Sequence, residues 1–199
     1  GPGADDNASG VAGLIELARL VARHRPALGY GVDFVAYTLE EPPHFGEDSM
    51  GSAVHAKSLR SEGVRVRLMV SLEMIGYFSD RPGSQRMPPA PLRRGSFPNT
   101  GNFIAVVGRS DGSDPTAGVA QAMRLGSDIP VEAVNASQLL SGLSDQLNYW
   151  QAGYPAVMIT DTSFFRNRNY HKPTDTPDTL DYARMAEVVE GVFYAVLAT

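Results

Sequence analysis

The 199-residue sequence contains no cysteine, a single tryptophan and only four histidines. The lack of thiols excludes disulfide frameworks, thiolate zinc sites and cysteine nucleophiles, and it leaves the redox compartment open. Any bound metal must therefore be held by oxygen and imidazole. No apolar run approaches the roughly 20 residues that a membrane span requires. The first residues also lack the basic-then-apolar pattern of a signal peptide. The expectation is a soluble chain with no membrane span, either cytoplasmic or periplasmic/secreted. Basic residues are in the minority, 17 against 22 acidic, for a net charge of −5. Phosphate-backbone binding needs a basic surface, so nucleic acid is not an expected partner.

What is present fits one globular domain over residues 1–199, with 43% hydrophobic and 20% charged residues. Val11, Leu14, Ile15, Ala18, Val21 and Ala22 share one face of a helix whose other face carries Glu16, Arg19 and Arg23. Residues 31–39 (GVDFVAYTL) form an apolar run that stops at two glutamates and two prolines, and they predict a buried strand. A second helix is expected from Asp48 as N-cap to Gly63. The alternation from Val64 to Leu72 predicts a strand that delivers Glu73 at its end. Residues 79–101, rich in proline and glycine, predict a long irregular loop. Strands are expected at 103–107, 131–134 and 156–159. Between and after them, helices are expected following Asp114 and Pro115, from Ser144 to about Gly153, and from Leu180 to Leu197. Strands alternating with helices predict a three-layer α/β/α sandwich on a mostly parallel mixed sheet.

In such sheets chemistry collects where strands end, and several of these ends are acidic. Asp5, Asp6, Asn7 and Ser9 lie between glycines just before the first helix. One cap needs one such side chain, so the segment either caps the helix or also aims a carboxylate elsewhere. Glu40 and Glu41 end the first predicted strand; neighbouring side chains on extended backbone point to opposite sides, so one can ligate a cation while the other reaches a water. Glu73 ends the next strand, where it is either a ligand or a surface partner of Arg65 or Arg67. Tyr170 and His171 stand in a proline-pinned loop before the last helix, with Asp175, Thr176 and Asp178 placed to build turns and a cap. His24, His44 and His55 are expected to be ordinary helix-face or loop residues. Asp6, Glu41, Glu73 and His171 together suit one or two zinc ions, with Glu40 as general base on a water.

GADDNASG, LEEP, SLEMIGY and YHKPTDTPDTLDY, in that order, resemble motifs of the zinc aminopeptidase and glutamate carboxypeptidase family, metallopeptidase family twenty-eight. SDQLNYWQAGYPAVMIT, residues 144–160, is similar to the family's segment in which an SD-containing helix leads into an AGxPA strand. The resemblance implies a zinc-exopeptidase fold, with Asp6 bridging two zinc ions, Glu41 and His171 completing the first, and Glu73 on the second. It implies Glu40 as the base that returns the proton to the leaving amine, and Tyr170 as a donor to the oxyanion. Two departures stand out. Glu73 occupies a position more often filled by aspartate, and the family's His-x-Asp motif lies upstream of the segment that begins here. The resemblance thus implies a domain lacking its first strands, holding one zinc or none where the intact family holds two. A free apolar sheet edge would then invite homo-oligomer formation. The expected activity is zinc-dependent exopeptidase, most simply an aminopeptidase acting on peptides. The alternative is a non-catalytic, receptor-like relative with an incomplete metal site.

Overall fold

The computed structural model describes residues 1–86, 98–109, 115–136 and 143–199. Within these, helices α1 (Gly10–His24), α2 (Gly51–Ser61), α3 (Thr116–Gly126), α4 (Gln146–Gln151) and α5 (Tyr182–Ala198) accompany strands β1 (Met69–Leu72), β2 (Ile104–Arg109), β3 (Val131–Ala136) and β4 (Ala156–Thr160). The strands form one mixed sheet in the order β1-β4-β2-β3. β1 runs parallel to β4 and β2 parallel to β3, while β4 and β2 are antiparallel. The α/β architecture expected from the alternation of elements is the one observed.

Alternating side chains give the sheet two different faces. Val70 and Leu72 of β1, Ile104 and Val106 of β2, and Val157 and Ile159 of β4 face the main core, which α1, α3 and α5 close with Leu17, Met123, Val188 and Val192. On the other face, Met69 and Ala156 pack under α2 and α4 against Ala56, Tyr149 and Trp150. Phe103, Ala105, Val107 and Met158 on that same face form a separate buried cluster against which Val134 of β3 packs. Ala105, Val107, Val134 and Met158 of this cluster give a pocket its apolar lining.

Local signals explain most element ends. α1 stops where Arg25 turns left-handed (φ 44°), and α2 where Gly63 does (φ 69°). α5 is capped by Asp181, whose carboxylate accepts from the Arg184 N–H at 3.1 Å. Asp48 does not cap α2. The helix starts later, after Met50, and exposed Asp48 pairs with Lys57 at 2.7 Å. The predicted Asp114 cap lies outside the described residues. The strand expected at 64–72 is confined to its second half.

Residues 31–39 depart most from expectation, since they form no strand. An apolar extended run becomes a strand only when another backbone takes up its N–H and C=O groups. Between this run and β1 lies a cleft of about 460 Å³, lined by Phe34, Val35, Val66, Leu68 and Val70. Phe34 still packs on the main core, so burial is partly achieved without pairing.

Candidate metal centre

The segment from Gly3 to Gly10 is an irregular turn, non-helical at Asp6 (φ −106°, ψ 88°) and Asn7 (φ −131°, ψ 37°). Three of its four polar side chains stitch it to the chain that leaves β1. Asp5, fully buried, accepts from the Gly76 N–H at 3.0 Å and from the Asn167 amide at 2.7 Å. The Asn7 side-chain oxygen accepts from the Met74 and Gly10 N–H groups, and its nitrogen donates to the Leu72 carbonyl at 2.9 Å. Ser9 donates to the Asp5 carbonyl and accepts from the Ile75 N–H. The seam is tight at Gly10, where a Cβ would stand 2.3 Å from the Leu72 carbonyl oxygen. Both readings of this segment therefore hold in part: Asn7 serves the start of α1, and Asp6 alone is left to face the pocket.

Asp6, Glu41 and His171 converge there. One donor atom from each lies within 4.8 Å of the others. His171 Nε2 is 3.2 Å from Asp6 Oδ2 and 3.5 Å from Glu41 Oε2. Tetrahedral zinc with bonds near 2.1 Å places its ligand atoms about 3.4 Å apart, so the spacing and the oxygen and nitrogen donors fit that ion. Burial raises the Asp6 carboxyl to about 6, and the Glu41 charge adds to the rise. A divalent cation would reverse both effects.

Around this trio, Glu40, Glu73 and Tyr170 line the same pocket, of about 250 Å³. Glu40 is raised to about 8 by burial and then by the charges of Asp145, Glu41 and Asp6. Tyr170 stacks on the His171 ring, with centroids 3.8 Å apart and planes inclined by 18°. Burial and the surrounding carboxylates push its hydroxyl upward, so it stays protonated and able to donate. Glu73 does not join the trio. Its Oε2 accepts from Ser144 at 2.7 Å and from Asn7 at 3.3 Å, and burial holds its carboxyl well above the usual range. The alternative pairing with Arg65 or Arg67 is not formed.

Residues with strained backbone concentrate here. Leu39, just before the glutamate pair, Met74, just after Glu73, Thr162 and Ser163 on the pocket wall, and His171 itself all have positive φ. Each costs about 1–3 kcal/mol for a non-glycine residue, so the surrounding hydrogen bonds must outweigh it.

Several supporting residues lie outside the candidate set read from the sequence. Asp161 is fully buried at the end of β4 and accepts from the Tyr77 and Ser163 N–H groups; burial raises both it and Asp5, while the hydrogen bond they share raises Asp161 and lowers Asp5. Arg166, 2% exposed, donates to Gln85 at 2.9 Å and to the Phe103 carbonyl at 2.8 Å beneath the pocket. Asp145, in the SD pair that precedes α4, keeps one buried oxygen without a protein partner. His44 stays outside the trio, as does His24, whose ring meets Phe193; His55 forms hydrogen bonds with Tyr37 and Tyr149.

The chain belongs to peptidase family M28, which it matches over residues 1–196. It is 52% identical over 193 residues to the uncharacterized protein YfbL of Escherichia coli, covering 96% of this chain and 58% of that protein. A probable zinc metalloprotease of Pyrenophora teres is 27% identical over 98% of this chain and 41% of its own length. The chain thus spans roughly half the length of such relatives. The fold is shared with the LapA aminopeptidase of Legionella pneumophila, with a TM-score of 0.75 at 21% identity, over 98% of this chain and 47% of that one.

Proposed function

We propose that the protein is a zinc-dependent aminopeptidase that removes large apolar residues from peptides. The observation that carries this reading is the convergence of Asp6, Glu41 and His171 at the mouth of a pocket that also holds Glu40. A zinc ion held by those three residues supplies a Lewis acid that makes a water nucleophilic near neutral pH. Glu40 takes the proton of the attacking water and passes it to the departing amine; burial, which raises its carboxyl, suits it to hold the proton between the two transfers. Tyr170 donates its hydroxyl hydrogen where negative charge gathers on the former carbonyl oxygen. Glu73 is assigned to a second metal position.

The end of the substrate follows from charge. Four carboxylates and no lysine or arginine stand among the described lining residues. A terminal carboxylate would find no cationic side chain among these residues to pair with, whereas a terminal ammonium group would find carboxyl oxygens to accept its hydrogen bonds. The side chain follows from the apolar lining of the pocket, to which Val107, Val134, Met158, Phe164 and Phe165 contribute. Burying a leucine- or phenylalanine-sized group there is worth about 1.5–3 kcal/mol, whereas a charged group would be stranded without a partner.

The test compares leucine and glutamate p-nitroanilides as substrates of the full-length protein and of its Glu40→Gln variant. The leucine substrate should be preferred. Glu40→Gln should lower its hydrolysis by about 10²–10⁴-fold with zinc content unchanged. Undiminished hydrolysis in the variant would refute the assignment of Glu40.

A further inference from the structure

The two ligand-bearing stretches, residues 4–6 and 171–175, lie about 170 positions apart in the chain, and one buried side chain joins them. Asp175 is 1% exposed. Its Oδ1 accepts from the Asp5 N–H at 3.0 Å and its Oδ2 from the Asp6 N–H at 3.1 Å. Its main-chain carbonyl accepts from the Ala4 N–H at 3.2 Å. Three successive amides of the Asp6 segment thus end on one residue. Asp175 is in turn held to the His171 loop, because its own N–H donates to the Lys172 carbonyl at 3.1 Å and the Lys172 N–H donates to Asn169 at 2.8 Å. Asn167 adds a second tether from the same stretch through its bond to the Asp5 carboxylate.

We infer that Asp175 is a positioning residue for the metal centre: it locks the Asp6 and His171 backbones into one unit before any ion arrives. Both carboxylate oxygens are already engaged by amides, so Asp175 is not itself a ligand. Its geometry sets the distance between two of the ligands. The Asp6 carboxylate projects from an amide that Asp175 holds, and His171 sits four residues before Asp175 in a strained backbone conformation (φ 58°). Released from the clamp, the two side chains would have to be gathered by the ion. The ordering would then reduce the affinity.

The inference rests on the assignment of Asp6, Glu41 and His171 as ligands, and the experiment separates the two. In the full-length protein, zinc affinity is measured by competition with a chromophoric chelator, and cobalt(II) is titrated as a spectroscopic probe. Asp175→Asn keeps the size of the side chain but turns an N–H₂ toward one of the two amides, where no hydrogen bond can form. Its zinc dissociation constant should rise about 10–100-fold, the usual effect of losing a group that orients a ligand. The visible cobalt bands should shift in energy and intensity. Asp178→Asn, which removes an exposed charge from the same loop, should match the wild type. Wild-type affinity and cobalt bands in Asp175→Asn would overturn the clamp. If the wild type bound neither metal, the ligand assignment would fall and the clamp with it. Should Asp175→Asn fail to fold, hydrogen exchange in the metal-free wild type decides. The Asp5 and Asp6 amides should be strongly protected, and exchange at the rate of free amides would overturn the proposal.

Discussion

The two sides of the acidic pocket are built differently. On one side Asp6, Glu41 and His171 present donor atoms to a common point, with His171 and Glu41 about half exposed and Asp6 only 10% exposed. Their backbones are held from behind, and their charges meet in front. On the other side Glu73 is already occupied by Ser144 and Asn7. The first arrangement leaves carboxylates short of a counter-charge, which a cation supplies. The second satisfies a carboxyl with protein hydrogen bonds, which a cation would have to displace. Residues that a motif comparison groups as equivalent ligands thus begin from unequal states, and the trio is the better prepared.

The largest effect should follow from attacking that preparation directly. His171→Ala leaves two carboxylates and removes the nitrogen donor, and this 199-residue chain should lose stoichiometric zinc, measured after dialysis by metal analysis. Glu73→Gln should keep one equivalent with an affinity within about tenfold of the parent, because the hydrogen bonds from Ser144 and Asn7 can pass to an amide oxygen. If Glu73→Gln emptied the chain of zinc as fully as His171→Ala, the contrast between the two sides would collapse.

How far this was legible from sequence depends on where each partner lies. The helical period of residues 10–24 and 182–198, and the apolar runs that became β2 and β4, were readable because the determining contacts repeat along the segment itself. The trio was readable because short motifs in a fixed order carry Asp6, Glu41 and His171. Residues 31–39 misled for a physical reason: their composition signals burial, which Phe34 achieves, whereas strand formation depends on a neighbouring backbone. Asp175 looked like a turn residue because its partners, the amides of Asp5 and Asp6, are about 170 positions away. Asn7 and Ser144 likewise act on Glu73 across 66 and 71 positions. Hydrogen bonds of such reach leave no periodicity to find.

An intermediate effect concerns pH. Asp6 at about 6 and Glu40 at about 8 lie above their ordinary values of 3.8 and 4.5. Between the ordinary and the raised values the folded chain binds more protons than the unfolded one, so stability falls as pH rises. The contribution is fully present below about pH 4 and is lost as pH climbs through 6 and then 8. In the presence of a chelator the urea midpoint should therefore be lower at pH 8 than at pH 5, by an amount equivalent to at most about 5 kcal/mol. Zinc should flatten the dependence, since a cation favours the charged carboxylates. A metal-free chain more stable at pH 8 would mean that the acidic charges are already compensated within the protein.

The smallest effect probes the other side of the comparison. Ser144→Ala removes the 2.7 Å hydroxyl donor to Glu73 and leaves only the longer bond from Asn7. A protonated carboxyl can reorganise its hydrogen bonds, so the cost should be that of one ordinary hydrogen bond, about 0.5–1.5 kcal/mol in urea unfolding. It should change little with pH, because burial holds the Glu73 carboxyl well above its usual range in the metal-free chain. Zinc affinity at the trio should not change. A cost that grew steeply with pH would show Glu73 ionised and dependent on Ser144 to remain so, which would make this side as short of a counter-charge as the other.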